Sequence, residues 1–179
     1  MKVLVTGSAG FIGAALTLRL LDRGDQVVGI DNHNEYYDPN LKEARLNRFI
    51  DRKSYSHKRI DIEDRSAVQQ VFSEGSFDSV VNLAAQAGVR YSLENPLAYI
   101  NTNIIGLHNL ASYCHETKTP LLHLSTDEII GTGDPIHEDS FNKPCNPYSF
   151  TKSAGEKLLH AYGKCYNLDW KIVRLNNTY

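Results

Sequence analysis

The stretch that decides the fold is "VLVTGSAGFIG", residues 3–13. A short apolar run is followed by Gly7, Gly10 and Gly13, and a stretch of helical period begins directly afterwards. Glycines at this spacing permit a tight turn, let the backbone approach a pyrophosphate and allow close helix packing. The N-terminus of the helix attracts an anion. The stretch therefore predicts the strand, turn and helix that open a dinucleotide-binding fold.

The rest of the chain alternates short apolar runs with longer stretches of helical period, which is typical of βαβ units. Six strands are predicted, at Lys2–Thr6, Gln26–Ile30, Ser56–Ile60, Ser79–Leu83, Leu121–Ser125 and Lys171–Leu175. Helices are predicted at roughly 11–23, 41–51, 64–73, 96–117 and 147–166. The predicted fold class is α/β, a Rossmann-like doubly wound parallel sheet in three layers, with residues 1–179 forming one NAD-binding domain.

Composition narrows the classes of partner. Charged residues make up 22% of the 179 residues and the formal net charge is −2, which disfavours nucleic acid or an anionic membrane as a partner. No apolar run is long enough to span a bilayer. Three cysteines without a CxxC pair indicate reduced thiols, and the histidines show no metal-ligand spacing. We therefore expect a cytoplasmic protein that binds small molecules and no metal.

The second predicted strand ends in "GIDN", which places Asp31 18 residues after Gly13. A carboxylate there can accept hydrogen bonds from the ribose hydroxyls of adenosine and repel a 2′-phosphate, which favours NAD over NADP. Capping of the next turn is the alternative role for Asp31. Asp61 and Ile62, after the third strand, are expected beside the adenine, although an Asp after a strand can also be a turn residue.

A second constellation lies at the start of the last predicted helix, where Tyr148 and Lys152 are four residues apart and share one face. A phenol acts as a base only when its pKa falls, and we expect the ammonium of Lys152 together with an oxidised nicotinamide to lower it. A lone pair at this spacing is more often on a helix surface. Its combination with the glycine turn and Asp31 makes it specific.

The stretch "STDE", Ser125 to Glu128, follows the apolar run 121–124. Two hydroxyls and two carboxylates at the end of a buried strand form either a solvated turn or a reaction centre.

These motifs together resemble the extended short-chain dehydrogenases/reductases, in particular the NAD-dependent nucleotide-sugar epimerases and dehydratases. The resemblance runs through "TGSAGFIG", "GIDN", "NLAAQAGVRYS", "NTNIIG", "STDE", "YSFTK" and "RLNN". It implies an N-terminal Rossmann domain followed by a part that grips the sugar nucleotide. Because the chain stops at Tyr179, we expect that part to be largely absent.

The resemblance also assigns roles. Tyr148 would deprotonate the sugar C4 hydroxyl while hydride passes to NAD, Lys152 would hold the nicotinamide ribose and Thr126 would hydrogen-bond the same hydroxyl. Asn177 would contact the substrate near its diphosphate, and Asn103 would support the active site. The residues expected to bind the cofactor are Gly7, Gly10, Phe11, Ile12, Gly13, Asp31, Asn32, Asp61, Ile62, Leu83, Ala84, Ala85, Tyr148 and Lys152.

Two reactions fit these motifs. "DNHNEYYDPNLKEARL" resembles UDP-glucuronate 4-epimerases, whereas "STDE" and "RLNNTY" resemble dTDP-glucose 4,6-dehydratases. After C4 oxidation an epimerase needs no further acid or base, but a dehydratase must remove the C5 proton and protonate the departing C6 hydroxyl. Asp127 would be that acid and Glu128 that base. The prediction leans towards dehydration, with epimerisation as the alternative.

Partners follow from the same resemblance. The substrate would be a UDP- or dTDP-hexose, and helices 96–117 and 147–166 would pair with a second copy as a homodimer. An alternative of another class is a truncated NAD-binding module with weak or no catalysis, because a substrate clamp cannot form from missing residues.

Overall fold

The computed structural model describes residues 1–131 and 143–176. Six strands are present there: β1 (Lys2–Thr6), β2 (Gln26–Asp31), β3 (Tyr55–Arg59), β4 (Ser79–Asn82), β5 (Leu121–Thr126) and β6 (Trp170–Leu175). The α-helices are α1 (Phe11–Arg23), α2 (Pro39–Leu46), α3 (Arg65–Ser73), α4 (Val89–Glu94), α5 (Pro96–Ile100), α6 (Leu107–Thr117) and α7 (Pro147–Tyr166). A π-helical turn covers Asn101–Gly106 and a 3₁₀ turn covers Asp127–Ile129.

The strands form one parallel sheet in the order β3-β2-β1-β4-β5-β6. The order reverses between β1 and β4, because the chain first builds outward through β2 and β3 and then returns to the other side of β1. The carboxyl ends of β1 and β4 therefore diverge into a crevice, which is where open α/β sheets bind their ligands.

Side chains alternate across β1 because successive residues of a strand point to opposite faces of the sheet. Leu4 is fully buried in the cluster that contains Leu110 and Leu159, whereas Val3 and Val5 pack in the cluster on the other face. The sheet is thus covered by helices on both sides, and the middle residues of its central strands β1 and β4 are apolar, as expected for a buried parallel sheet.

Helix α1 begins directly after Gly10 and ends where Gly24 takes a left-handed conformation, with φ of 93°. Glycine adopts this conformation without steric cost, and its N–H bonds back to the carbonyls of Leu20 and Leu21. The predicted bounds of this helix are confirmed, so the glycine turn stands in the predicted position between β1 and α1.

The fold class is as predicted, and three helical segments differ from the prediction. The expected helix 96–117 is interrupted by the π-helical turn, and α4 was not predicted. Asn95 separates α4 from α5, because its side chain accepts the Ala98 N–H at 3.4 Å while Pro96 begins the new helix. The helix expected at 41–51 instead spans Pro39–Leu46.

None of the helices in the described part of the chain is long and apolar enough to cross a membrane.

Candidate active site and dinucleotide cavity

A cavity of about 470 Å³ opens at the carboxyl ends of the central strands. Its volume lies in the usual range for cofactor sites. Twelve of the residues expected at the cofactor line it: Gly7, Gly10, Phe11, Ile12, Gly13, Asp31, Asn32, Asp61, Ile62, Leu83, Ala84 and Ala85. They follow four different strands, and the parallel sheet brings them together because all four strands end at the same edge.

The glycine turn leaves no room for side chains. A Cβ on Gly13 would lie 1.9 Å from the Gly7 carbonyl oxygen, and one on Gly7, whose φ is 69°, would lie 2.9 Å from the Ala84 nitrogen. The Gly7 N–H donates to the Ile30 carbonyl oxygen at 2.8 Å, which holds the turn against β2. The turn therefore forms the close, backbone-lined approach that a dinucleotide pyrophosphate requires.

Asp31, at the end of β2, is buried and already accepts several hydrogen bonds. One carboxylate oxygen accepts the Ala9 N–H at 3.2 Å, and the other accepts the His33 N–H at 2.9 Å and the Lys42 ammonium at 3.2 Å. Asp31 therefore fixes the following turn and also lines the cavity, and its binding of a ribose stays a prediction.

Asp61 is likewise both a turn residue and a cavity residue. One oxygen accepts the Glu63 N–H at 2.9 Å, and the other accepts the Asn32 side-chain amide at 2.8 Å. This second bond joins the loops after β2 and β3, so Asn32 and Asp61 form a common wall of the cavity.

Sequence reasoning missed the contribution of α2 and the loop before it. Lys42, Arg45, Tyr36 and Tyr37 all line the cavity. The Arg45 guanidinium donates to the Tyr37 hydroxyl at 3.0 Å and lies 5.8 Å from the centre of the Phe11 ring. The spacing of Lys42 and Arg45, three residues apart on one helix, was the available signal, but nothing in the sequence shows which face of α2 meets the sheet.

The second group of predicted residues gathers at the end of β5. The Thr126 hydroxyl donates to the Asp127 carboxylate at 3.3 Å and accepts the Glu128 N–H at 3.3 Å. It also lies close enough to Tyr148 to lower the pKa of that phenol. Thr126 is buried, Asp127 is half-buried and Glu128 is exposed. A hydroxyl, a phenol and two carboxylates are therefore adjacent, as a reaction centre requires.

The expected lowering of the Tyr148 pKa is not what the protein alone produces. Burial raises the pKa of Tyr148, the hydrogen bond to Thr126 lowers it, and the charges of Glu128 and Asp127 raise it. The ammonium of Lys152 donates to the Leu124 carbonyl oxygen.

Lys152 is itself strongly perturbed. Its side chain is 4% exposed, and burial lowers its pKa to about 8, while the carboxylate of Glu156 raises it. Leu124, the acceptor of its ammonium, lines the dinucleotide cavity. Lys152 thus contacts the wall of the cavity at Leu124, the residue of β5 that directly precedes the stretch Ser125 to Glu128.

Helix α7 is fixed in position at its first turn. The Asn146 side chain accepts the Ser149 N–H at 2.8 Å and the Ser149 hydroxyl accepts the Asn146 N–H at 3.2 Å, a capping box. The buried amide of Asn103, in the π-helical turn, donates to the Thr151 hydroxyl at 3.0 Å and to the Gln86 carbonyl oxygen at 3.0 Å. These bonds give Asn103 the supporting geometry that the resemblance implies.

Gly106 has a packing role, because a Cβ there would lie 2.6 Å from the Ile62 side chain. Asn177 lies outside the described residues. Across residues 1–131 and 143–176 no group of three His, Cys, Asp or Glu side chains could hold a metal.

The fold and the cavity define a dinucleotide-binding Rossmann domain. The sequence model of the NAD dependent epimerase/dehydratase family matches residues 3–179, and the chain belongs to this family. The cofactor predicted from the glycine turn and Asp31, NAD, is the cofactor of the family, and the shape of the turn fits it.

Named relatives include epimerases. Protein CapI of Staphylococcus aureus is 38% identical over the whole chain and 54% of its own length, and UDP-glucuronate 4-epimerase 1 of Arabidopsis thaliana is 39% identical over the whole chain and 43% of its own length. The chain spans about half the length of the curated relatives it matches.

Solved structures include both reaction types. UDP-glucuronic acid 4-epimerase from Bacillus cereus, in complex with UDP-glucuronic acid and NAD, superimposes with a TM-score of 0.90 at 32% identity, over 97% of this chain and 56% of that one. The dTDP-glucose 4,6-dehydratase DesIV from Streptomyces venezuelae, with NAD bound, gives 0.91 at 28% identity, over 100% of this chain and 56% of that one.

Proposed function

We propose that the chain carries the NAD-binding and catalytic half of a nucleoside-diphosphate-hexose 4,6-dehydratase. The observation that supports this most directly is the contact of Thr126 with both Asp127 and Tyr148. It places two carboxylates next to the phenol that would start the reaction. A simple oxidation and re-reduction at C4 needs the phenol but not the carboxylates.

The first step is oxidation of the sugar C4 hydroxyl to a ketone. NAD, when bound, supplies the acceptor for the hydride that leaves C4. Tyr148 takes the hydroxyl proton, and Thr126 orients the phenol towards that hydroxyl. Burial and the two carboxylates raise the pKa of Tyr148, so the positive charge of bound, oxidised nicotinamide would have to lower this pKa before the phenolate could take the proton.

The second step is elimination of water from the 4-ketosugar. The C4 ketone acidifies the C5–H bond, so Glu128 can accept the C5 proton. The electron pair released forms the C5–C6 double bond as the C6–O bond breaks. Asp127 supplies the proton with which the C6 hydroxyl leaves as water. Return of the hydride to C6 would then be completed by Glu128, which gives the proton that it accepted back to C5. This division of labour requires two carboxyl groups in different environments, and Asp127 is the more buried of the pair.

A UDP-sugar 4-epimerase is the second candidate, and a specific observation favours it. The UDP-glucuronate 4-epimerases of Arabidopsis thaliana are 36–39% identical to the chain. In that case the 4-ketosugar rotates and accepts hydride on its other face, and Asp127 and Glu128 form only a polar turn.

A third candidate, of another class, is an NAD-binding module with weak or no turnover. The dinucleotide cavity supports this candidate, because NAD can bind there without any conversion of a sugar. Binding of NAD without any conversion of a sugar nucleotide would identify this case.

The deciding experiment is to incubate the chain with NAD and a panel of UDP- and dTDP-hexoses and to measure product mass. We expect a product lighter by one water. Asp127→Asn and Glu128→Gln should still allow C4 oxidation, seen as transient absorbance of NADH, but should lose the mass change. Glu116→Gln, an exposed carboxylate on α6, is the control and should behave as the wild type.

An isomer of unchanged mass would identify the epimerase instead. If Asp127→Asn and Glu128→Gln still formed the lighter product at the wild-type rate, these carboxylates would not be the acid and base of the reaction.

We also propose that the chain forms a homodimer. Four large apolar side chains on α4, α5 and the π-helical turn are exposed: Leu93 (67%), Leu97 (61%), Ile100 (40%) and Ile105 (46%). Phe150 on α7, 56% exposed, adds to them. A second copy would bury such residues. Sedimentation that shows only monomer at micromolar concentration would contradict this proposal.

A further inference from the structure

Behind the adenosine end of the cavity lies a pair of histidines. His33 is 4% exposed, and its backbone has a positive φ of 54°. His57, in β3, is half-buried. The Nε2 atoms of the two rings are 2.9 Å apart, which is hydrogen-bonding distance.

The pair belongs to a longer hydrogen-bonded chain. At one end His33 Nδ1 is 2.8 Å from the exposed carboxylate of Glu43. At the other end His57 Nδ1 is 3.0 Å from the Tyr55 hydroxyl, which is 3.3 Å from the Ser8 hydroxyl. This series of hydrogen bonds therefore connects solvent, at Glu43, with the glycine turn, at Ser8.

Gly29 makes this route possible. A Cβ at that position would lie 2.2 Å from the Tyr55 hydroxyl and 2.5 Å from the Ser8 hydroxyl. Any side chain on Gly29 would thus push Tyr55 and Ser8 apart, so the sequence keeps open the space that their contact needs.

The contact between the two Nε2 atoms holds only one proton, because each nitrogen is either a donor or an acceptor. The Glu43 carboxylate requires a proton on His33 Nδ1. In the neutral pair His33 Nε2 is therefore bare and accepts from His57 Nε2–H. His57 Nδ1 is then bare as well and accepts from the Tyr55 hydroxyl.

One further proton reverses the direction of the hydrogen bond between His57 and Tyr55. It binds at His57 Nδ1, the one remaining bare nitrogen of the pair, which then donates to the Tyr55 oxygen. Burial raises the pKa of Tyr55 to about 12, so its hydroxyl keeps its own proton and must turn towards Ser8. Protonation thus adds a positive charge behind the cavity. It also makes the Tyr55 hydroxyl donate to Ser8, in the glycine turn, instead of to His57.

We propose that His33 and His57 form a proton-sharing pair that couples dinucleotide binding to pH, with NAD binding more tightly when the pair carries the extra proton. NAD carries an anionic pyrophosphate, which a nearby positive charge favours. The coupling is reciprocal, so binding of NAD also promotes proton uptake by the pair.

Several other charged and titratable groups face the pair and set where it titrates. They are Glu43 and Lys42 from α2, Asp31 from β2, and Tyr55 and Arg59 from β3. Burial lowers the pKa of His57, and so do His33 and Arg59, whereas Asp31 and Glu43 raise it. The added proton therefore binds below the usual range of histidine in the free chain.

The first test uses nitrogen-15 NMR of the histidine rings in the chain without cofactor. At about pH 8 we expect a proton on Nδ1 but not Nε2 of His33, and a proton on Nε2 but not Nδ1 of His57. On acidification His57 Nδ1 should gain the proton. Any other assignment at about pH 8, such as a proton on Nδ1 of both rings, would overturn the proposed arrangement.

The second test measures the Kd of NAD by isothermal titration calorimetry at a series of pH values from about 8 down to 5. The wild type should bind NAD more tightly as the pH falls, and the gain should approach about threefold below the pKa of the pair for a displacement of half a pKa unit on binding. Two buffers with different ionisation enthalpies should reveal proton uptake. His57→Gln should remove both effects, whereas His160→Gln, an exposed histidine on α7, should keep them.

The same pH dependence in wild type and His57→Gln would overturn the coupling. This readout is independent of the dehydratase proposal, because it requires NAD binding and no sugar. If His57→Gln does not bind NAD at any pH, the wild type alone decides. The proposal then requires the expected NMR assignment and proton uptake on NAD binding, and it is overturned when either is missing.

Discussion

Replacement of Lys152 by methionine should stabilise the protein. Burial lowers the pKa of Lys152 to about 8 from the 10.5 of a free lysine. Each pKa unit corresponds to about 1.4 kcal/mol, so holding the ammonium in this buried place costs about 3 kcal/mol at neutral pH. Methionine fills similar space without a charge, although the bond to the Leu124 carbonyl oxygen is lost.

The direction in which the free energy of unfolding changes with pH follows from the protonation of Lys152 in the folded and in the unfolded chain. Below about pH 8 both the folded and the unfolded chain are protonated at Lys152, so the full cost is present. Between about 8 and 10.5 the folded chain loses the proton first, and the unfolded chain binds more protons. The free energy of unfolding of the wild type therefore rises with pH across this window, by about 3 kcal/mol from this group.

Urea denaturation of the wild type and Lys152→Met at a series of pH values between about 7.5 and 10.5 measures this directly. The difference between their free energies of unfolding should change by about 3 kcal/mol across the range. Lys157→Met, an exposed lysine on the same helix, should give a curve parallel to the wild type. If the wild type and Lys152→Met were also parallel, the ammonium would not be buried at a cost, and the reasoning would be wrong.

Three further predictions concern the cavity and the sheet. Gly13→Ala puts a methyl group 1.9 Å from the Gly7 carbonyl oxygen, so calorimetry should show at least about tenfold weaker NAD binding. Gly75→Ala is the control and should bind NAD normally, because its methyl group would meet only the flexible end of the Lys2 side chain. Burial, then the charge of a nearby lysine, lowers the pKa of His123 well below 6.5, so stability should fall as pH drops below about 6.5, by at most about 1.4 kcal/mol per pH unit. His123→Gln should flatten that slope, and equal slopes would refute the assignment. Asp31→Asn leaves the buried ammonium of Lys42 without its carboxylate and should cost about 3 kcal/mol in urea denaturation. The double variant Asp31→Asn, Lys42→Met should recover part of that loss, and no recovery would contradict the pairing.

The sequence by itself determined the parallel α/β fold class and the placement of the cofactor residues. The alternation of apolar runs and helical periods indicates parallel strands with crossover helices, and the glycine turn places a dinucleotide site after the first strand. Residues that follow these strands then meet at one edge of the sheet, so Gly7, Asp31, Asp61 and Ala84 could be assigned to one cavity before any coordinates were known.

The tertiary structure alone decided which charges face one another. Lys42 reaches Asp31 because α2 turns that face inward, and the Lys152 ammonium bonds to the Leu124 carbonyl oxygen. The interruption of the predicted helix 96–117 is also a tertiary result. Local sequence fixes the period of an element, whereas burial and the distances between elements fix the direction of each pKa change, because desolvation and Coulomb interactions depend on neighbours that are remote in sequence.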